Sequence, residues 1–287
     1  MSSGRDFIGP FQLVRLIRSG QTTQVWEVIR EGQEERFALK VLHKEYADDK
    51  DEIEQLKHEV MVAKNLAHPN VIKILGFHGE YGRPLIAMEL FNGRNLKLVL
   101  RDSPELIEQN VATVIRDCAK GLQHLHEKGW VHCDVKPDNF LMDDRANVKL
   151  IDFSIALKQA KGFSLFQKKP KTIQGTRSYM APEQIRRRPP DSRADIYSFG
   201  CVLFELVARR PPFSAPSPDE LLSKHLRATP PFLQSVNNRA TAEFSNLVQK
   251  MMAKDPAKRP ASIKDFLVEF AKCSVFKAGV LRKPGNS

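Results

Sequence analysis

The stretch VHCDVKPDNFLM, Val131 to Met142, sets three polar side chains among apolar ones. Asp134 is followed two positions on by Lys136 and five positions on by Asn139. One short loop thus offers a carboxylate that can take a proton, a cation for a bound anion, and an amide oxygen for a hard metal ion. Downstream, the strand-like run NVKLI leads into IDFS, with Asp152 among apolar neighbours at the strand end. A carboxylate there suits a cation that prefers oxygen ligands. Any one of these side chains alone reads as a solvated turn residue. The ordered set of Asp134, Lys136, Asn139 and Asp152 points to chemistry on a phosphate.

Working outward, the first third alternates or runs apolar in short pieces. Phe11–Ile17, Thr23–Ile29 and Glu35–Leu42 predict strands separated by turn residues. VIKILGF and PLIAMEL (84–90) predict two more, and Ile53, Leu56, Val60 and Ala63 recur at helical spacing between. Lys40, on the otherwise apolar third strand, calls for an anionic partner, and Glu59 on the helix can supply it. From Leu96 onward helices dominate. Ile107, Val111, Val114, Cys118, Leu122 and Leu125 form one stripe, with Gly129 placed to cap it. The strand-like runs NFLM and NVKLI come next. Ser217 to Glu220 reads as a capping box with proline at the first helical position. Ala240–Ala253 and Ala261–Lys272 predict helices, and Phe199–Ala208 a buried one.

Composition bounds the class. The 287 residues are 41% hydrophobic and 28% charged, ordinary values for a globular protein. No run of 18 or more apolar residues predicts a membrane span, and the N-terminus has no secretory h-region. Cys118, Cys133, Cys201 and Cys273 lack zinc or C-x-x-C spacing, so reduced thiols and a cytoplasmic location are expected. The net charge of +11 comes from dispersed Lys and Arg, with small clusters at 168–171 and 186–188. No zinc-finger or RNA-recognition pattern accompanies them, so no nucleic-acid partner is expected. The charge hints weakly at acidic sequences in a target or partner. The sequence carries no signal for oligomeric state or for the identity of a substrate.

The chain resembles a eukaryotic-type serine/threonine protein kinase catalytic domain. The resemblance rests on Val25, Ala38, Lys40, Glu59, HPN (68–70), HCDVKPDN (132–139), DFS (152–154), APE (181–183), DIYSFG (195–200) and Arg259. It implies an α+β, bilobal fold: a small β-rich N-lobe with one main helix (about 11–90) and a larger, mostly helical C-lobe (about 91–272). Residues 1–10 and 273–287 become tails, and a nucleotide cleft between lobes is expected. It also implies ATP and Mg2+ as cofactors and a protein Ser/Thr hydroxyl as acceptor. Lys40 and Glu59 then resemble the pair that grips the α/β-phosphates, Asp134 the catalytic base, with Lys136 reaching the same phosphate, and Asn139 and Asp152 the magnesium ligands. Met88 falls at the gatekeeper position, with Glu89 to Phe91 as the hinge. Val25, Ala38 and Leu141 sandwich adenine, Asn95 faces the ribose, and Gly20 tips the phosphate loop. Glu183–Arg259 resembles a buried anchor, and Asp195 the residue that ties down the catalytic loop. KPDN and GTRSYMAPE, with Thr176 near Asp134 and Lys136, resemble the serine/threonine branch; the APE segment argues against a small-molecule phosphotransferase.

Three positions depart from the pattern. Arg18, Gly20 and Thr23 stand where three loop glycines are usual, which predicts weakened nucleotide affinity and leaves a pseudokinase scaffold as the alternative. Ser154 replaces a glycine after Asp152 and Phe153. Cys133 replaces the arginine that a phosphorylated activation loop neutralises. An active enzyme less dependent on phosphorylation at Thr172 is expected, with Cys133 a buried, inert thiol.

Overall fold

The computed structural model describes residues 6–32, 34–159 and 175–278. Thr172, the lysines at 168–171 and most of both expected tails lie outside the described residues. The chain divides into two compact units, Met1–Asn92 with Asp152–Ile155, and Gly93–Ile151 with Ala156–Ser287.

The first unit is a six-stranded antiparallel sheet with one α-helix. Its strands are β1 (Phe7–Ile8), β2 (Phe11–Ser19), β3 (Thr23–Arg30), β4 (Arg36–Leu42), β5 (Ile74–His78) and β6 (Leu85–Glu89), in spatial order β1-β2-β3-β4-β6-β5. Helix α1 spans Lys50–Ala63 and is N-capped by Asp49, whose Oδ1 accepts from the amides of Asp51 and Glu52. The period-two alternation of β4 decides what each face holds. Leu39 and Val41 point to a core with Val28, Leu85, Ile8 and Phe11. Ala38, Lys40 and Leu42 point the other way, where Leu42 and Ile86 pack on Leu56 of α1. The strand expected from Val71 begins only at Ile74, because the Val71 amide closes a turn onto His68 O at 3.0 Å.

The second unit is mostly helical. It opens with β7 (Arg94–Asn95), α2 (Leu96–Asp102) and α3 (Pro104–Glu127). The expected stripe of α3 is buried, and Gly129 ends it at φ +76°. Next come β8 (Trp130–Val131), β9 (Phe140–Met142), β10 (Val148–Leu150) and β11 (Leu157–Lys158). β10, β9 and β7 pair as one small sheet, β11 and β8 as another. Helices α4 (Pro182–Ile185), α5 (Ser192–Ala208), α6 (Pro218–Arg227), α7 (Leu233–Val236), α8 (Ala242–Met251) and α9 (Ile263–Phe270) follow. α5 is the central one, buried from Ala194 to Val207 and closed by Arg209 in the left-handed region at φ +58°. It starts earlier than the apolar run, because Asp191 caps it. At α6 only the serine half of the expected capping box is seen: Ser217 Oγ accepts from the Glu220 amide at 3.2 Å.

Candidate active site

In the first unit the sheet register assembles one face. Val25 pairs with Lys40, Lys40 with Ile86, and Ala38 with Met88, so these side chains project to the same side. Leu56 seats α1 on that face, and Glu59, three residues on along the same helix surface, meets Lys40 there. Lys40 Nζ donates to Glu59 Oε2 at 2.7 Å and to Asp152 Oδ1 at 3.4 Å. Burial alone drives Lys40 toward its neutral form, but the charges of Asp152 and Glu59 outweigh it and hold its pKa above the lysine range. Burial pushes Glu59 upward, opposed by Lys40. Asp152 has φ +66°, a left-handed conformation unusual for a residue with a side chain. Ser154 has no positive φ, so the residue that replaces glycine carries no such strain.

The tip between β2 and β3 is tightly closed. Gly20 N donates to Thr23 O at 2.8 Å. Its two flanking carbonyls are held by one residue: His43 N donates to Thr22 O at 2.8 Å, and the His43 Nε2 lies 3.1 Å from Gly20 O. At the other end of the face, Glu89 pairs with Lys73 through both its amide (2.9 Å) and Oε1 (2.7 Å). Phe91 is half-buried.

In the second unit the loop between β8 and β9 is pinned from below. Asp195, 1% exposed near the start of α5, accepts from His132 N at 2.7 Å and Cys133 N at 2.9 Å. This holds Cys133 at φ +67°. Gln184 Nε2 donates to Cys133 O at 2.8 Å. Gly175 approaches from the other side at φ +108°, where an added Cβ would lie 2.9 Å from that same carbonyl oxygen. The turn therefore requires glycine.

Asp134 sits on top of this frame. Thr176 N donates to its Oδ1 at 2.8 Å, and Lys136 Nζ to its Oδ2 at 2.5 Å. Lys136 Nζ also donates to Thr176 Oγ1 at 2.9 Å. Asn139 Nδ2 donates to Asp134 O at 2.8 Å and Oδ2 at 3.3 Å, which turns its Oδ1 away from the carboxylate. Leu141, on β9, pairs with Asn95. Asn95 Oδ1 accepts from Leu98 N at 2.9 Å as the N-cap of α2. Cys133 is buried, and burial, with Asp195 adding, pushes its thiol well up. Glu183 and Arg259 form a bidentate buried pair at 2.6 and 2.9 Å.

Residues 11–269 match the family described as Protein kinase domain. The chain belongs to this family. The chain is 33% identical, over 87% of its length, to a probable serine/threonine-protein kinase of Corynebacterium efficiens, covering 39% of that protein. It is 30% identical over 92% of its length to the serine/threonine-protein kinase PrkC of Bacillus subtilis, covering 40%. With the serine/threonine-protein kinase PknA of Mycobacterium tuberculosis it shares 31% over 89%, covering 59%. The chain thus spans between 39% and 59% of the length of these relatives.

Four contributions of the kinase domain were not legible beforehand: His126, whose Nε2 lies 2.8 Å from Asp195 Oδ2; Gln184; Gly175; and His43. Only Gly175 left a signal, as a glycine next to Thr176. The other three act through contacts between residues far apart in sequence. No helix among the described residues is long and apolar enough to cross a membrane.

Proposed function

We propose that this chain is a serine/threonine protein kinase that transfers the γ-phosphoryl group of ATP to a protein hydroxyl. The observation that carries the reading is the Asp134–Lys136–Thr176–Asn139 cluster, in which hydrogen bonds fix both oxygens of the Asp134 carboxylate and the Lys136 ammonium. Phosphoryl transfer needs placement and charge neutralisation more than covalent help. Asp134 orients the acceptor hydroxyl and takes its proton. Lys136, held by Asp134 and Thr176, sets a positive charge two residues away, where the transferred group gathers negative charge. The relatives' names, all serine/threonine kinases, support the same class of acceptor.

Lys40, fixed by Glu59, grips the nucleotide phosphates, and the protonated ammonium is what its carboxylate neighbours favour. Val25, Ala38, Met88 and Leu141 bound the base, Glu89 to Phe91 give it backbone partners, and Gly20 covers the phosphates. The donor set fits magnesium: the Asn139 amide oxygen and the Asp152 carboxylate are the oxygen types a hard cation takes. When bound, magnesium would neutralise charge on the phosphates.

Transfer of label from ATP in the presence of magnesium tests the reading, with wild type beside Asp152→Ala. Label passed to protein by wild type and not by the variant supports it. ATP bound without transfer would instead assign the chain to the scaffold class, for which the closed Gly20–Thr23 tip is the favouring observation.

A further inference from the structure

The surface formed by the end of α4 and the end of α6 carries charge that the fold leaves unanswered. α4 closes in two reverse hydrogen bonds, Arg187 N to Gln184 O and Arg188 N to Glu183 O, both 2.9 Å. Between them Arg187 takes φ +53°, the position that glycine fills at most such helix ends. The turn therefore fixes three consecutive arginines, all exposed, on a short rigid support. α4 packs against α6. The last turn of α6 presents Lys224 and Arg227, both exposed and three residues apart on one side. Lys254 lies beside the end of α6: its Nζ donates to Lys224 O at 3.4 Å and to the Tyr197 hydroxyl at 3.2 Å, and lies 4.6 Å over the Phe213 ring. Burial, with the charges of Arg259 and then Arg186 adding, lowers its pKa to about 8.

None of these six cations forms an ion pair among the described residues. Some arginines of the same unit are paired, Arg193 with Asp191, Arg209 and Arg239 with Glu108, Arg259 with Glu183, and others such as Arg116 and Arg210 are not; what sets this face apart is that its unpaired cations are clustered. Like charges this close repel, and the fold keeps them together with a left-handed arginine. An external polyanion relieves that repulsion. None of the exposed large apolar side chains lies on α4, on α6 or next to Lys254, so nucleic-acid bases would find nothing there to stack on. Carboxylates need no such platform.

We propose that this face docks an acidic segment of the protein substrate, apart from the hydroxyl that is phosphorylated. The proposal rests on the kinase reading above and adds the substrate's charge to it.

Two peptides test it, with the same serine acceptor and flexible linker, one ending in six glutamates and the other in six glycines. Wild type should show a KM about tenfold lower for the acidic peptide. The triple variant Arg186→Glu/Arg187→Glu/Arg188→Glu should erase that advantage and leave the glycine peptide's KM and kcat unchanged. Lys224→Glu/Arg227→Glu, which does not touch the α4 turn, should act alike if the triple variant fails to fold. Direct binding of the labelled acidic peptide, followed by fluorescence anisotropy, should weaken steeply as salt rises. Equal KM values for the two peptides in wild type, or an acidic advantage that survives both variants, would overturn the proposal. So would displacement of the labelled peptide by a DNA duplex at lower concentration than by unlabelled acidic peptide. Absence of transfer to either peptide would sink the kinase reading instead, while the anisotropy arm still reports on the face.

Discussion

Asp134 shows what a single side chain contributes. Its two oxygens accept from Thr176 N and Lys136 Nζ, so the carboxylate has one orientation. Asp134→Asn should lower kcat by about 10²–10⁴ while ATP binding persists, checked by steady-state kinetics beside nucleotide titration. Binding lost in parallel would mean the substitution had disturbed the loop. Cys133, by contrast, acts through its backbone: amide to Asp195, carbonyl to Gln184, thiol buried. That geometry accounts for a position where the side chain is dispensable, and Cys133→Ser should leave turnover within about twofold, since both backbone bonds are kept. His225 titrates in a different way. Burial, with the charge of Lys254 adding, holds its imidazole down to about 4, against 6.5 when unfolded. The unfolded chain therefore takes up the proton first, and stability is lost as pH falls from 6.5 toward 4. The contribution is at most roughly 3 kcal/mol. Thermal melting across that window should show a shallower slope in His225→Gln than in wild type; identical slopes would clear His225 of the effect.

Among the elements, β4 was the most legible and the tip between β2 and β3 the least. The alternation in FALKVL tells which side chains share a face, and the resemblance supplies Glu59; the 2.7 Å contact then follows from Leu56 seating α1. The helices with a long stripe, α3 above all, were equally plain. β1 and α2 were missed because two residues or two turns carry too little periodicity to stand out. The β2–β3 tip was read as a place of lost glycines. Its actual closure depends on His43, which comes 23 positions after Gly20 and has no local mark. His43→Ala should free the Gly20 carbonyl and raise the KM for ATP about three- to tenfold with kcat little changed. His43→Gln, whose amide can donate to the same oxygen, should restore it. A kcat loss without any KM change would place His43 elsewhere in the reaction.

At the scale of the whole chain the Glu183–Arg259 pair matters most. Arg259 is fully buried and also donates to Arg193 O at 2.7 Å and Ala253 O at 2.8 Å. Arg259→Met strands Glu183 without a cation, a cost of about 3–5 kcal/mol. Tm should fall by about 10 °C, and Glu183→Leu in the same chain should recover part of it. A Tm unchanged by Arg259→Met would show the pair to be dispensable. The two partners lie 76 positions apart, with Glu183 first. During synthesis every residue of the proposed chemistry leaves the ribosome before Arg259 exists. α4, which carries the Gln184 bond to the catalytic loop, lacks its buried ion pair until then. A nascent chain of this design should therefore gain its full stability only when translation has nearly run through the domain, a timing set by the order of its residues.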